Sequence, residues 1–298
     1  MTAIEVHQDG PTPEQRIMTG EPVEIGLYPG VNALEYHRWT GASQSRLKVL
    51  RDKSPAHLRW QMDHPEEQTD AMRLGAAVHT CVLEPDLFPC VYVRAIEGDG
   101  RTKAIKDART QQALDNPGAT ILPADDFDTC LAIRDSVGRH PSAKHLLAGE
   151  RERSAIWTDP ETGVRCRGRF DDIAREFGAI TDLKTCMDAS PNRFPRDLYI
   201  YGYHIQAAMY LRGAVELGLG CDTFGFVAVE KEPPYAVAVY QLAAPAIHDG
   251  VRELNRLLAI WAQCEASGEW PGYDTNIVTI DLPGYAPAQI TERIGAAA

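Results

Sequence analysis

The sequence predicts an α/β protein in which helices flank a central mixed sheet and a mainly helical extension precedes that sheet. Helical patterns dominate up to about residue 150. Three short runs with strand character then follow one another, and a helix, two further strands and a final helix complete the order. This succession of strands and helices is typical of an α/β domain built around one sheet.

The mainly helical segment contains several helix-start signals. Ser43 is a suitable N-cap for a helix with an apolar stripe, and Ser54-Pro55 opens a second helical stretch. Thr69 or Asp70 caps a third helix that runs to about Leu83. The other predicted elements of this segment are a strand at 91–95 and helices at 104–114, 125–137 and 141–147.

His79 lies in the third of these helices. Helical spacing places Met72, Ala76 and His79 on one face, together with Val82 or Leu83. We therefore expect His79 on the buried stripe of the helix, where an isolated histidine is more often a packed core residue than a ligand.

The predicted sheet begins with three strand-like runs. These are SAIWTD, GVRCRGRFDDIA and GAITDLKT, and the turn signals DPETG and REFG separate them. Their spacing favours a three-stranded antiparallel meander. A helix at about 196–217, strands at 224–232 and 235–242 and an amphipathic helix at 246–267 follow.

The sequence shows no convincing linker, and we expect one domain. Residues 1–30 are rich in proline, glycine and acids, which predicts a loosely ordered arm. The domain then spans 31–298, with a mainly helical part at 31–150, an αβ core at 151–270 and a tail at 271–298.

The composition is that of a water-soluble globular protein. Hydrophobic residues make up 44% of the 298 positions and charged residues 24%. The N-terminus has neither the basic nor the apolar region of a secretory signal, so we expect a cytoplasmic location. The seven cysteines form no CxxC pair, which argues against a zinc ribbon or an iron–sulfur cluster.

The net charge of −12 argues weakly against a nucleic acid partner. The cations are nevertheless concentrated in three short segments, at 38–59, 101–109 and 165–169. Each segment alone is more typical of a solvated face. Local basic patches on an acidic protein can still follow a phosphate backbone.

The stretch AITDLKTC places Asp182 and Lys184 two residues apart, on one face of a strand. Such a pair alone is common and usually forms an ion pair. Asp171 lies on the preceding strand of the meander and can meet Asp182 across it. Two carboxylates and the backbone carbonyl of Leu183 would suit Mg²⁺, and the Lys184 ammonium could then orient a water or neutralise a phosphate.

Asp172 competes with Asp171 for this role. Alternation along a strand places the two side chains on opposite faces, so only one of them can face the metal. The spacing of eleven residues to Asp182 favours Asp171.

At this point the sequence resembles the PD-(D/E)xK nuclease superfamily, and more closely its exodeoxyribonuclease VIII (RecE-type) recombination exonucleases of phages and prophages. The resemblance spans roughly residues 36–210 in the family's order. The segments that carry it are YHRWTGASQSRLKVLRDKSPAHLRW, LGAAVHTCVLEPDLF, GRFDDI, ITDLKT and YGYHIQAAMY. Gly-Arg-Phe precedes Asp171, so the proline of the superfamily name is missing here.

The resemblance implies a role for each matching residue. Asp171 and Asp182 would bind the catalytic Mg²⁺ with the Leu183 carbonyl, Mn²⁺ being a substitute, and Lys184 would activate the attacking water. His79 falls where the family has a histidine near the metal. Gln206 and Tyr210 fall where the family places a polar pair facing the site, and helical spacing puts both on one helix face.

The implied activity is a Mg²⁺-dependent double-strand DNA exonuclease. The resemblance implies 5′→3′ digestion of duplex ends to 5′-nucleotides, which leaves 3′ single strands for a single-strand annealing protein. It also implies a homo-oligomeric ring around DNA, whose lining could use the 46–59 segment with Arg165, Arg167 and Arg169. Ser43, Ser45 or Arg46 could anchor the 5′ phosphate.

Two alternatives stay open at this point. One is an endonuclease of the same superfamily. The other is a non-catalytic DNA-binding module, although such a module has no need for a lysine beside paired acids.

Overall fold

A computed structural model of the chain describes residues 23–64, 68–282 and 289. The described strands are β1 (Gly26–Tyr28), β2 (Tyr92–Arg94), β3 (Thr120–Leu122), β4 (Glu150–Thr158), β5 (Arg165–Ala174), β6 (Ala179–Cys186), β7 (Thr223–Glu230) and β8 (Val237–Gln241). The described helices of the first half are α1 (Ala33–Arg38), α2 (Gln44–Asp52), α3 (Pro55–Asp63), α4 (Asp70–Leu83), α5 (Phe88–Val91), α6 (Lys103–Asp115), α7 (Ala124–Arg139) and α8 (Pro141–Leu146). Those of the second half are α9 (Phe194–Tyr201), α10 (Tyr203–Glu216) and α11 (Ala244–Ser267).

Six of these strands form one mixed sheet, in the order β1-β4-β5-β6-β7-β8. β4, β5 and β6 are antiparallel neighbours, which confirms the predicted meander. β7 pairs parallel to β6 after the crossover through α9 and α10, and β8 returns antiparallel to β7. The predicted fold class, a central mixed sheet flanked by helices, is therefore confirmed.

The backbone pairing between the strands of the meander is interrupted at one position along the sheet. β5 and β6 pair over Asp172–Ala174 and Ala179–Thr181, and one step further along this register Asp171 faces Asp182. On its other side Asp171 faces Glu152, which lies between two paired positions of β4 and has a left-handed φ of 50°. A non-glycine residue in that region indicates local strain, which is common at functional sites. Three acids thus lie side by side across three strands.

Helices cover both faces of the sheet. One buried cluster joins α10 and α11 to Trp157, Phe170 and Phe226, and a second joins α4 and α7 to Leu183 and Val227. Burying these apolar side chains is the main stabilising contribution to the fold. Since alternate residues of β6 face opposite layers, Asp182 lies under α10 while Leu183 points to the other core.

A glycine allows α10 to lie close to the sheet. A Cβ at Gly213 would lie 2.9–3.0 Å from the indole of Trp157 on β4, so only glycine fits there without a shift. This close packing fixes the height of α10 above β6 and brings Gln206 to the acids.

Three sequence expectations need correction. Residues 26–28 of the expected loose arm form the edge strand β1, while residues 1–22 lie outside the described part of the chain. β3 lies where we predicted no element and pairs parallel with β2. The helix expected at 196–217 is divided at Gly202, whose left-handed φ of 71° ends α9.

Within the described residues, none of the helices is both long enough and apolar enough to cross a membrane.

Candidate metal centre

Asp171 lies at the point where β5 and β6 separate. Its buried carboxylate accepts a hydrogen bond from the Leu183 N–H at 2.8 Å, and its Oδ2 lies 3.5 Å from His79 Nδ1. The amide and carbonyl of one strand residue point towards the same neighbouring strand. The Leu183 carbonyl therefore also faces β5, on the side where Asp171 lies.

Glu152 joins this cluster, and sequence reasoning missed it. One ligand atom from each of His79, Glu152 and Asp171 lies within 4.8 Å of the others, and both acids are buried. The only sequence signal was an acid two residues before the predicted strand SAIWTD, the neighbour of the Asp171 strand in the predicted meander. The register that makes it a neighbour of Asp171 became visible only in the folded sheet.

The acids strongly disfavour one another's charge. Burial, and then the charge of Asp182, raise the pKa of Asp171 well above its ordinary value. Burial and the charge of Asp171 raise the pKa of Glu152 to about 7. A bound cation would relieve both effects, and carboxylate oxygens with one imidazole are suitable ligands for a divalent metal. The donor set therefore fits a metal ion.

Asp182, Lys184 and Gln206 form a closed hydrogen-bonded triangle beside these acids. Lys184 Nζ lies 2.6 Å from Asp182 Oδ2 and donates to Gln206 Oε1 at 3.0 Å. Gln206 Nε2 in turn donates to Asp182 Oδ1 at 2.5 Å. Burial alone would lower the pKa of Lys184, but the charges of Asp182, Tyr203 and Asp171 and the hydrogen bond to Asp182 together outweigh burial and raise that pKa. Lys184 is therefore a charged ammonium at neutral pH.

Two tyrosines of α10 support this triangle differently. Tyr203, which the sequence did not single out, places its ring centroid 4.5 Å from Lys184 Nζ in a cation–π contact. Tyr210 lies further along α10, where its hydroxyl accepts a hydrogen bond from the Arg169 N–H at 3.3 Å and its ring packs on Phe170. Gln206 thus contacts the acid–lysine pair, whereas Tyr210 fixes α10 against β5.

The predicted position of His79 on the buried stripe of α4 is wrong. The buried residues of α4 are Ala77, Val78, Cys81 and Leu83, whereas Met72 is exposed. Because α4 packs against α7 through the stripe, His79 is rotated to its edge and faces Asp171 with a partly exposed ring. Burial lowers the pKa of His79, which favours the neutral form that can bind a metal.

Asp172 is turned away from the acids, as alternation along the strand requires. Its Oδ2 accepts a hydrogen bond from the Gly149 N–H at 2.8 Å, and burial raises its pKa to about 6. Asp172 therefore fixes the loop before β4, and Asp171 is the residue that faces Glu152 and His79.

A second cluster contains several of the residues that we expected to contact DNA. Ala42 bridges β5 by donating to the Arg165 carbonyl and accepting from the Arg167 N–H, both at 2.8 Å. This bridge holds the start of α2 against the strand. The Ser43 and Ser45 hydroxyl oxygens lie 3.1 Å apart there.

Arg46 and Arg167 are neighbouring cations of this second cluster. Half-buried Arg46 donates to the Gly41 carbonyl at 2.7 Å, and buried Arg167 donates to the Tyr36 carbonyl and stacks 4.7 Å from the Tyr36 ring centroid. Burial, and then the charge of Arg167, lower the pKa of Arg46 to about 10. A cation whose charge is disfavoured by a neighbouring cation is well suited to accept an anion.

The other predicted DNA contacts have different environments. Arg169 forms an ion pair with Glu152 and lies 3.9 Å from Glu84, so it belongs to the acidic cluster. The charged groups of Arg51 and Arg59 in the 46–59 segment pair with acids close in sequence.

A known domain family and solved structures are similar to this chain. A profile of PDDEXK-like domains of unknown function, DUF3799, matches residues 43–281. A solved structure from Eubacterium rectale, provisionally described as an exonuclease, matches with a TM-score of 0.55 and 13% identity, over 87% of this chain and 98% of that one. A phage-related exonuclease from Haemophilus somnus 129PT matches with a TM-score of 0.30 and 15% identity, over 57% of this chain and 91% of that one. No curated protein matches.

Proposed function

We infer that the chain, which belongs to the DUF3799 family of PDDEXK-like domains, is a metal-dependent nuclease that hydrolyses DNA phosphodiesters. One observation carries this proposal. The hydrogen-bonded triangle of Asp182, Lys184 and Gln206 lies beside the cluster of His79, Glu152 and Asp171, at the place where two strands separate. A fixed ammonium next to ligands for a cation is the arrangement that phosphoryl chemistry needs.

The proposed metal ligands are Asp171, Asp182, the Leu183 carbonyl and His79, and we add Glu152 to this set. The ion would be Mg²⁺, for which Mn²⁺ can substitute. When bound, it would stabilise negative charge on the phosphate and lower the pKa of a water ligand. The buried acids are suited to hold it because they already disfavour one another's charge.

Lys184 would act on the water and the phosphate directly. Its ammonium is held by Asp182, Gln206 and the Tyr203 ring, so little reorganisation is needed when the phosphate arrives. Gln206 contacts both partners of the ion pair and would keep the lysine in place. Tyr210 would act through the position of α10 rather than through the substrate.

The preferred activity within this class is exonucleolytic and runs 5′→3′ from duplex ends. Ser43, Ser45, Arg46 and Arg167 would anchor a terminal 5′ phosphate, with further donors from the N-terminus of α2. The products would be 5′-nucleotides and 3′ single strands, which an annealing protein could use in recombination. The provisional description of the Eubacterium rectale protein supports an exonuclease.

We propose a homo-oligomeric ring from the same family resemblance that implies 5′→3′ digestion. In a ring only the channel lining needs to be basic, while the outer surface can carry the net charge of −12. The single-domain organisation at 31–298, with the αβ core at 151–270, is part of this proposal.

Linear and covalently closed circular duplex test the proposal together. With Mg²⁺ present, the exonuclease should degrade the linear form and leave the circle intact. Cutting of the circle would favour the endonuclease alternative. Binding of the linear form without any hydrolysis would favour a non-catalytic module.

A further inference from the structure

The C-terminal end of α9 presents three consecutive large apolar side chains to solvent. Tyr199 is 71% exposed, Ile200 52% and Tyr201 46%. Single exposed apolar residues are common on protein surfaces, whereas three large ones in succession at one helix end are unusual and can provide a contact surface. We refer to Tyr199–Tyr201 as the aromatic tip.

The backbone of the aromatic tip is held by side chains that are distant in sequence. Arg51 of α2 donates to the Tyr199 carbonyl at 3.3 Å and to the Ile200 carbonyl at 2.7 Å. Gln44 donates to the Tyr201 carbonyl at 3.2 Å. These bonds satisfy carbonyls that the end of a helix leaves free, and they fix the direction in which the tip points.

Each exposed ring of the tip is also supported by a ring from α10. The Tyr199 ring lies nearly parallel to the His204 ring, 5.9 Å between centroids, and the Tyr201 and Tyr203 centroids are 5.7 Å apart. Rings that are ordered before binding lose less conformational entropy when a ligand stacks on them.

The aromatic tip is continuous with the candidate metal centre. Tyr201 contacts Tyr203, and the Tyr203 ring contacts the Lys184 ammonium at 4.5 Å. Exposed Arg196 lies three and four residues before Tyr199 and Ile200, on the same side of α9. Exposed rings next to a cation are the combination with which proteins bind single-stranded nucleic acid.

We propose that the aromatic tip stacks unpaired nucleobases of the strand whose phosphate lies at Lys184. This inference rests on the proposed function and adds a binding site to it. A strand that leaves the lysine along Tyr203 would meet Tyr201 and then Tyr199. The tip would hold the bases apart from their complementary strand, while Arg196 would lie close to the phosphates.

The test measures stacking and affinity separately, in EDTA so that no hydrolysis occurs. The probe is a single-stranded oligonucleotide with one 2-aminopurine, whose fluorescence falls when the base stacks on a ring. The full-length wild type is compared with a Tyr199→Ser/Tyr201→Ser variant and a Tyr199→Phe/Tyr201→Phe variant. Val215→Ser, at a 71% exposed position of α10, is the matched control for loss of a surface apolar group.

The serine variant should lose the quenching and bind the oligonucleotide about tenfold more weakly or worse. The phenylalanine variant and Val215→Ser should both behave like the wild type. Wild-type quenching and affinity in the serine variant would overturn the proposal. Loss of binding in the phenylalanine variant would also overturn it, because hydroxyl groups and not rings would then carry the contact.

Sedimentation and hydrolysis distinguish base stacking from a subunit contact and from catalysis. A change in oligomeric state of the serine variant in sedimentation would identify the tip as a subunit interface and overturn the proposal. If the double variant does not fold, Tyr199→Ser alone gives the same test at a highly exposed position. Wild type that quenches the probe but never hydrolyses DNA with Mg²⁺ would refute the proposed nuclease and leave the stacking site standing.

Discussion

Lys184 is held by three neighbours of different chemistry. Asp182 supplies charge, Gln206 supplies a carbonyl oxygen, and Tyr203 supplies the face of a ring. The D-x-K pattern predicted the first neighbour, and the family resemblance implied Gln206. Tyr203 could not be singled out, because an aromatic residue within a predicted helix is more often an ordinary packing residue.

The contribution of the Tyr203 ring can be measured by substitution. Tyr203→Leu should lower kcat on linear duplex about two- to thirtyfold, since a partly desolvated cation–π contact contributes about 0.5–2 kcal/mol. Tyr203→Phe keeps the ring face and should retain most of kcat, with KM little changed in either variant. Equal kcat values for the Phe and Leu variants would show that the ring does not hold Lys184.

Glu152 should lower the stability of the metal-free protein and increase its affinity for metal. Its pKa of about 7 in the fold lies above the ordinary value, so its contribution to stability is largest at acidic pH and is lost as pH rises to about 7. Without metal, Glu152→Gln should therefore raise the Tm at pH 8 and reduce the fall in Tm between pH 5 and 8. The same variant should bind Mn²⁺ about tenfold more weakly in calorimetry.

Asp172→Asn is the matched control for Glu152→Gln. Asp172 is also a buried acid, but it bonds the Gly149 N–H and faces away from His79. Mn²⁺ affinity should therefore be nearly that of the wild type. Weaker metal binding by the Asp172 variant, with no change in the Glu152 variant, would exchange the roles of the two residues.

Helices α9 and α10 are separated by a single glycine, Gly202, and this division could not be predicted from the sequence. The apolar pattern at 196–217 is continuous, so it predicted one helix. The division occurs because Gly202 adopts a left-handed φ and lies against the Arg51 guanidinium, a residue about 150 positions earlier. A tertiary contact of this kind has no local signal, and the division is what separates the aromatic tip from Gln206.

Gly202→Ala tests this division. A Cβ at Gly202 would lie 2.7 Å from Arg51 Nη1, whereas a Cβ at Gly218 would have no atom within 4 Å. Both glycines have positive φ, so each substitution should cost about 1 kcal/mol for the backbone, and Gly202→Ala should cost clearly more. Urea unfolding measures the difference. Equal losses would show that the contact with Arg51 adapts freely.

The meander, by contrast, was predictable because its signals are local. Gly163 and Gly178 terminate the turns DPETG and REFG at left-handed φ, and each turn joins two predicted strands. Asp171 and Asp182 could be paired from the spacing that these turns define. Glu152 could not, since its position opposite Asp171 depends on the register of the ladder between β4 and β5.

At the scale of the whole molecule, charged residues are clustered by sign, so the net charge is a poor guide to whether the protein can contact DNA. The chain carries −12, yet buried Asp171 and buried Arg167 lie on the same strand, β5, only four positions apart. Asp171 belongs to the acidic cluster and Arg167 to the basic one. A strand of DNA that runs along β5 would meet the metal ligands and the proposed phosphate anchor in succession.

Arg46→Ala tests the phosphate anchor. Loss of a charge-assisted contact of about 1.5–3 kcal/mol should lower the rate on 5′-phosphorylated duplex about ten- to hundredfold. The rate on 5′-hydroxyl duplex should change little. Arg252→Ala is the control, because Arg252 is exposed and pairs with Asp249 on its own helix. An equal loss on both substrates would contradict a role in recognising the end.

The most direct measurement is the release of acid-soluble nucleotides from linear duplex, with and without Mg²⁺, by the wild type and by Lys184→Ala. The wild type should release nucleotides only when Mg²⁺ is present. Lys184→Ala should be at least about a hundredfold slower, because the charge next to the phosphate is lost. Absence of Mg²⁺-dependent release by the wild type, or wild-type speed in the lysine variant, would contradict the assignment of Asp171, Asp182 and Lys184 as a nuclease centre.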